Sequence, residues 1–451
     1  MVRSLLPLGA ALLGAATVLA DSPQKCSLTQ KCPKEAPCCS QYGECGVGAY
    51  CLGGCDPRMS FSLDSCVPEP VCQSKTYKMD SLDRYKDISK YLGDPNEADW
   101  VGQGQPLVYN GNVLLTMPPN SVGTVLASTT YMWYGNVKAK LKTSKDRGVV
   151  TAFILLSDVK DEIDYEFVGA DLSTAQTNYY FQGIPNYDNS VNITDLSDTY
   201  NNFHEYEIRW TPDDITWLVD GKVGRIKKRA DTWNATSNQW AFPQTPARVQ
   251  ISIWPGGLAS NAQGTIDWAG GVIDWNSDEI KKYGYYFATF GEITVECYNA
   301  SSPPGTNKGV SYYYNDVSAT NNTVVDSDKP TVLKSFLATG TDMNKTDGTT
   351  TGSATGTASS SVNAIPGGGS TPGGGAQVPG SSNSGSSSSG SSGGSSSNSA
   401  PDCATTGFSQ SCDSGSGSGG SNPNNAARAI DRTLGASAFA VVIGFAALLL
   451  L

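Results

Sequence analysis

Histidine is almost absent from this sequence: His204 is the only one. A Ser-His-Asp triad or a multi-histidine metal centre therefore has almost no residues to build on. His204 itself reads as a strand-edge residue rather than a base. Positive charge is also in short supply. Lys and Arg number 31 against 42 Asp and Glu, for a net charge of −11. A surface of that sign gains nothing from phosphates, so nucleic acid is not an expected partner. Long stretches of helical periodicity are scarce, which argues against a helical bundle.

Cysteine and aromatic residues are plentiful. Twelve cysteines fit an oxidising compartment, and nine of them fall between Cys26 and Cys72, with Cys297, Cys403 and Cys412 beyond. Five sequons (Asn192, Asn234, Asn299, Asn321 and Asn344) agree with secretion, because glycans need exposed loops. The 9 Trp and 21 Tyr suit stacking on sugars and suit a β-rich core equally.

The two ends read as targeting signals. Residues 1–20 open with Arg3, run apolar from Leu5 to Leu19 and finish on small residues. That run falls short of the roughly 20 residues a membrane span needs, so a signal peptide cut after Ala20 is expected. Gly435 to Leu451 is apolar and carries no charge. Upstream lie a polar spacer with Arg428, Asp431 and Arg432 and the small residues Asn425-Ala426-Ala427. Small site, spacer and apolar tail make a GPI-attachment signal, with Asn425 as the expected lipid-bearing residue and Gly420 or Ser421 behind it. The competing reading of the tail is a membrane helix.

Between these ends the sequence divides into three regions. Residues 21–73 form a small cysteine-rich module, 74–314 a larger domain, and 315–425 a Ser/Thr/Gly-rich stalk, followed by the propeptide 426–451. The stalk composition buries no core and is expected to be disordered. Cys403 and Cys412 within it are candidates to pair with each other. The larger domain carries repeated strand signals. Val149–Leu156 is a β-branched and apolar run, Tyr206–Trp210 alternates apolar with charged residues, and Ile215–Val219 leads into an Asp220-Gly221 hairpin turn. Val249, Ile251 and Ile253 alternate in the next run. The expected class is all-β, a sandwich of two antiparallel sheets.

The segment that carries chemistry is Asp161-Glu162-Ile163-Asp164-Tyr165-Glu166-Phe167. Side chains alternate along a strand, so Glu162, Asp164 and Glu166 share one face, and Ile163, Tyr165 and Phe167 share the other. Three carboxylates in a row repel, and one tends to keep a proton. An exposed acidic strand edge is the bland alternative, but it leaves the alternating apolar face unexplained. A nucleophilic carboxylate and a protonated carboxyl together make the kit for glycoside cleavage. On a flat strand, residues four apart are roughly 13 Å apart at Cα. A concave sheet is therefore expected, bringing the two outer glutamates together over Asp164. Spacing alone does not say which glutamate attacks.

Glu162-Ile163-Asp164-Tyr165-Glu166 resembles the E-x-D-x-E signature of glycoside hydrolase family 16. Phe203–Trp210 with Ile215–Gly221 resembles that family's strand pair. Gly264–Gly271 resembles its fungal Crh branch, the chitin–glucan transglycosylases of the cell wall. The resemblance covers roughly 80–300. It implies a β-jelly-roll with a cleft on its concave sheet. It also implies Glu162 as nucleophile, Glu166 as proton donor and Asp164 as the residue that orients the nucleophile. Trp254, before Pro255-Gly256-Gly257, matches the branch's cleft tryptophan, and Trp268, Asn178 and Tyr179 are further candidates for substrate contact. No cofactor is implied and no metal ligand set is named. The run from Cys38 to Cys51 resembles a hevein-type chitin-binding module, with Ser40, Tyr42 and Tyr50 at the sugar-gripping positions and Glu44 where a third aromatic is expected.

The implied activity is cleavage of chitin and transfer to β-glucan or chitin, at the cell wall and outer membrane face. The alternatives are an endo-β-1,3(4)-glucanase and a non-catalytic chitin-binding wall glycoprotein.

Overall fold

The structure, a computed structural model, describes residues 23–346. The expected leader, Cys403, Cys412, Asn425 and the apolar tail lie outside the described residues.

Among the described residues, two eight-stranded sheets pack face to face. The sheet that carries the carboxylates consists of β1 (Tyr85–Asp87), β2 (Trp100–Gln103), β3 (Thr124–Met132), β4 (Val149–Ser157), β5 (Glu162–Val168), β6 (Ala175–Tyr180), β7 (Val191–Ile193) and β8 (Ala247–Pro255). Their order across the sheet is β7-β6-β5-β4-β8-β3-β2-β1. All neighbours are antiparallel except the pair β1–β2. The second sheet centres on Gly135–Lys142, which lies between His204–Trp210 and Tyr286–Cys297.

The alternation read in the sequence decides what lies between the sheets. Ile163, Tyr165 and Phe167 of β5 and Val249, Ile251 and Ile253 of β8 meet Val137, Ala139, Tyr206, Ile208 and Trp217 of the second sheet in one buried cluster. Phe153, Tyr165 and Phe167 stack in a column with centroids 6.2 and 6.1 Å apart. Two polar contacts pin β5 across this core. Tyr165 donates its hydroxyl to the Leu218 carbonyl at 2.8 Å, and Trp217 donates its indole N–H to the Asp164 carbonyl at 3.1 Å. A buried hydroxyl and indole need such partners, and here they fix β5 in height and register. The hairpin turn at Asp220-Gly221 has positive φ at both residues, 51° and 74°, as a tight two-residue connection requires.

Four disulfides close within the N-terminal module, namely Cys26–Cys39, Cys32–Cys45, Cys38–Cys51 and Cys55–Cys66. A fifth, Cys72–Cys297, ties the chain leaving the module to the end of Tyr286–Cys297 in the second sheet. The module does not stand apart. Cys38, Tyr50, Leu52 and Val67 share a buried cluster with Tyr91, Val101, Ala127, Leu333 and Ala338.

That cluster corrects the expected start of the stalk at residue 315. Val324–Ser327 pairs with Ser311–Tyr314, which in turn pairs with Glu69–Pro70. Leu333 and Ala338 are buried against the module. The segment 315–346 is polar enough to read as solvated, but these few apolar residues anchor it. The sequons divide too. Asn192, Asn234, Asn299 and Asn344 are exposed, whereas Asn321 is half-buried and its amide donates to the Tyr134 hydroxyl at 3.4 Å.

Candidate active site

Cross-strand register builds the site row by row on the face of the carboxylate sheet that points away from the core. Residues paired directly across strands share a face. Glu162 stands between Tyr180 of β6 and Leu156 of β4, Asp164 between Asn178 and Ile154, and Glu166 between Gln176 and Ala152. One strand further, Leu156, Ile154, Ala152 and Val150 face Arg248, Gln250, Ser252 and Trp254 of β8. The floor is thus a polar strand, an apolar stripe and a second polar strand. Ala152, Ile154 and Leu156 form a buried cluster of their own beside the carboxylates.

Burial sets the electrostatics. Glu162, Asp164 and Glu166 are all at most 3 % exposed, yet none of them belongs to the inter-sheet core. Desolvation raises Glu162 to about 7, against the opposing pull of a hydrogen bond with Asp164 and the positive charge of Lys160. Glu166 is raised further, to about 8, by desolvation and then by the charge of Glu162. Asp164 lies well above the usual carboxylate range, first through burial and then through its two acidic neighbours. Both outer carboxyls are thus raised well above the ordinary range, so the row holds protons near neutral pH, as a buried group of like charges must.

Each end of this floor is walled. At the Glu166 end, Trp254 and Trp268 stack with centroids 5.9 Å apart and 26° between planes, over Val150, Val168 and Ala269. Trp268 belongs to α1 (Gln263–Trp268), in the Gly-rich segment after β8. Its indole N–H donates to Gln176 Oε1 at 2.8 Å and so steadies the amide beside Glu166. At the Glu162 end the wall is the N-terminal module. Its Gln41 Oε1 accepts from Arg248 at 3.2 Å, and the guanidinium lies over Gly53, where a Cβ would come within 2.4 Å of it.

Of the expected substrate contacts, Asn178, Trp254 and Trp268 do lie on this face. Tyr179 does not. It is in register with Ile163, belongs to the core cluster and lies under Arg225 and Lys227, with its centroid 5.7 and 5.8 Å from them. The tyrosine of the site is Tyr180, whose hydroxyl accepts from Asn178 Nδ2 at 2.6 Å and whose phenol is raised by burial and by the three carboxylates. Strict alternation from Asp164 through its partner Asn178 was the signal that selects 176, 178 and 180 over 179. Gln250 was missed as well. It is 2 % exposed, in the Asp164 row, and its Nε2 meets no hydrogen-bond partner among the described residues, as is also true of Trp254 Nε1. Reading Val249, Ile251 and Ile253 as core residues implies this opposite set directly.

The expected sugar grip of the module is also altered. Tyr50 is 1 % exposed and packs its ring on Gly46, within the seam to the larger domain. Ser40 is 3 % exposed, and its hydroxyl accepts from the Glu44 N–H at 3.4 Å. A stacking platform needs an open ring face, and Tyr50 offers none. Tyr42 is half-buried, and Glu44 pairs with Lys25 at 2.9 Å.

Residues 94–270, which span this whole face from β2 to α1, match the family described as glycosyl hydrolases family 16. Crh-like protein 3 of Botryotinia fuckeliana is 71 % identical over 318 residues, covering 70 % of this chain and 71 % of the relative. The chain belongs to the Crh-like proteins of glycosyl hydrolases family 16. Crh-like protein 2 of Aspergillus fumigatus is 57 % identical over 347 residues, covering 76 % of this chain and 78 % of the relative. Among solved structures, an apo Crh5 transglycosylase aligns over 60 % of this chain and 100 % of its own, with 28 % identity and a TM-score of 0.48. As a Crh-like family 16 protein the chain is an enzyme of the glycosidase and transglycosylase type.

Proposed function

We propose that the chain cleaves chitin by retaining double displacement and passes the glycosyl group to a β-glucan or chitin acceptor. Glu162 attacks the anomeric carbon while Glu166 gives its proton to the leaving oxygen. A glycosyl–Glu162 ester forms and the leaving sugar departs with the proton. Glu166, now ionised, takes a proton from the acceptor hydroxyl, which attacks the ester and regenerates Glu162. Asp164 orients Glu162 through their hydrogen bond.

The observation that carries this reading is the row Glu162-Asp164-Glu166, desolvated on one sheet face with its outer members raised to about 7 and about 8. Close family membership supports transfer over simple hydrolysis. We also propose that the enzyme is secreted and held at the wall and outer membrane face by a GPI lipid at Asn425, from the signals at its two ends.

Incubation with a chitin donor and fluorescent chito- or laminari-oligosaccharides tests the reaction. Label entering polymer, abolished in Glu162→Gln, is the expected result. Reducing ends accumulating with no labelled polymer would replace transfer by hydrolysis. Full activity in Glu162→Gln would remove the catalytic assignment.

A further inference from the structure

The turn that delivers Glu162 into β5 is gripped by the cysteine-rich module at three consecutive residues. Gly54 N–H donates to Asp158 Oδ1 at 2.8 Å, Arg58 Nη2 to the Val159 carbonyl at 2.8 Å, and Lys160 Nζ to the Gln41 carbonyl at 2.9 Å. None of these contacts is on an exposed rim. Asp158, Lys160 and Arg58 are 4, 5 and 5 % exposed. Arg58 is itself fixed by a two-point ion pair with Asp56 at 3.0 and 2.7 Å.

Lys160 has φ of 66°, in the left-handed region that a lysine occupies only when its surroundings hold it there. Its N–H and carbonyl are both used, to Ser157 O at 3.0 Å and from Gly183 N at 2.7 Å, and its aliphatic stem lies against Gly183. A lysine so buried is costly unless its charge is paired and hydrogen-bonded. The charged groups around it are Asp56 and Arg58 of the module, Asp158 of the same turn, and Glu162. Those that act on Glu162 and its row are Asp164 and Glu166 on β5, Lys160 before it, Tyr180 on β6, and Arg225 of the second sheet, which acts on Asp164. Of the two cations, Lys160, two residues before Glu162, acts on Glu162, and Arg225 acts on Asp164.

We propose that Lys160 is a positioning residue for Glu162 and that the cysteine-rich module, by holding Lys160 and its turn, is a working part of the active site rather than a separate sugar-binding head. Burial pulls Lys160 below the usual lysine range, against Asp56, Glu162 and Asp158, which favour its charge; the charged form favours the ionised Glu162, and the module fixes where it stands. The burial of Tyr50 and Ser40 fits this use of the module's surface.

The proposal rests on Glu162 being the nucleophile, and Glu162→Gln tests that premise separately. The full chain is assayed for transfer across pH 4 to 9 as the parent, Lys160→Gln and Lys160→Arg. Glutamine keeps a donor for the Gln41 carbonyl and loses the charge. Arginine keeps the charge. The expected result is an acidic limb of kcat/KM moved up by about one pH unit in Lys160→Gln, lowering activity about tenfold below it, with the limb restored in Lys160→Arg. Lys160→Met, also neutral and better suited to a buried site, gives the same reading where the glutamine variant does not fold. An acidic limb unmoved in a folded neutral variant, with Glu162→Gln inactive, overturns the proposal and leaves the nucleophile assignment standing.

Discussion

Asp161 and Thr245 are joined twice: Asp161 Oδ2 accepts the Thr245 amide at 3.1 Å and its hydroxyl at 2.7 Å. The same oxygen accepts the Gln244 amide at 2.9 Å, and Oδ1 accepts the Gln182 amide at 2.9 Å. One buried carboxyl thus ties the first turn of β5 to the approach of β8 and to the end of β6, and the residue after it is Glu162.

Asp161→Ala should therefore both destabilise the enzyme and misplace Glu162, the proposed nucleophile. Two buried amides and one half-buried amide would lose their acceptor, and hydrogen bonds to a charged group contribute about 1.5–3 kcal/mol each at most. A loss of about 3 kcal/mol in denaturant unfolding is expected. Because a displacement near 1 Å at a reacting group costs about 100-fold, kcat should fall by that order. Asp161→Asn, which keeps one acceptor oxygen, should recover part of both. Unchanged stability in the alanine variant would show that water replaces the carboxyl.

Glu166 makes stability depend on pH in a direction fixed by sign. Its folded value, about 8, lies above the ordinary 4.5. The folded state therefore holds this proton more tightly, and the stabilisation is fully present below about 4.5. It is lost as pH rises through about 8. Glu166→Gln removes that dependence. Relative to the parent, its Tm should gain by about 4 °C or more between pH 5 and pH 9, where 1 kcal/mol moves Tm by about 2–4 °C for a domain this size. A constant Tm difference across that range would mean that Glu166 is not desolvated as described. In the rate profile, kcat/KM should rise near 7 and fall near 8, as Glu162 ionises and Glu166 loses its proton.

Tyr179 and Tyr180 separate the two faces of β6. Tyr180→Phe removes the hydroxyl that Asn178 holds beside the carboxylates and should cut kcat/KM about tenfold, the effect of one lost hydrogen bond near charge. Tyr179→Phe alters a ring packed on the core side and should leave kcat/KM within about twofold. The reverse ranking in a transfer assay would place the cleft on the other face and sink the register argument.

The same residues show how much of the fold and site is readable in the sequence. Periodicity in Glu162–Phe167 gave the carboxylate face and its apolar reverse, and both stand where alternation put them. Alternation also held the answer for Tyr180, two steps from Asn178 on the same face, and for Gln250, one step from Val249 and Ile251 on the opposite face. What sequence could not supply was contact between distant segments. Nothing local to Lys160 or Arg248 says that Gln41 or Gly53 will meet them, because those meetings depend on how the module docks, and nothing local to Asp161 says that Thr245, 84 residues on, will meet it. The anchoring of Leu333 and Ala338 was hidden for the same reason: two apolar residues in a polar segment acquire meaning only when a complementary surface faces them. The half-buried Asn321 shows the converse, a sequon legible as a pattern whose amide the fold has already engaged.

Trp268 offers a way to separate packing from substrate positioning. Its ring stacks on Trp254, and its N–H holds Gln176 next to Glu166. Trp268→Phe keeps an aromatic face against Trp254 and removes only the donor. Gln176 then loses the partner that fixes its amide at the Glu166 end of the cleft. A net hydrogen bond contributes about 0.5–1.5 kcal/mol, so KM for the chitin donor should rise about threefold to tenfold. The chemical step does not use this bond, so kcat should change less than KM. Trp268→Ala removes the ring as well and should add a loss of about 3 kcal/mol in stability from the emptied site. If the phenylalanine variant binds donor as tightly as the parent, Trp268 serves only to pack Trp254, and Gln176 is ordered by the strand alone.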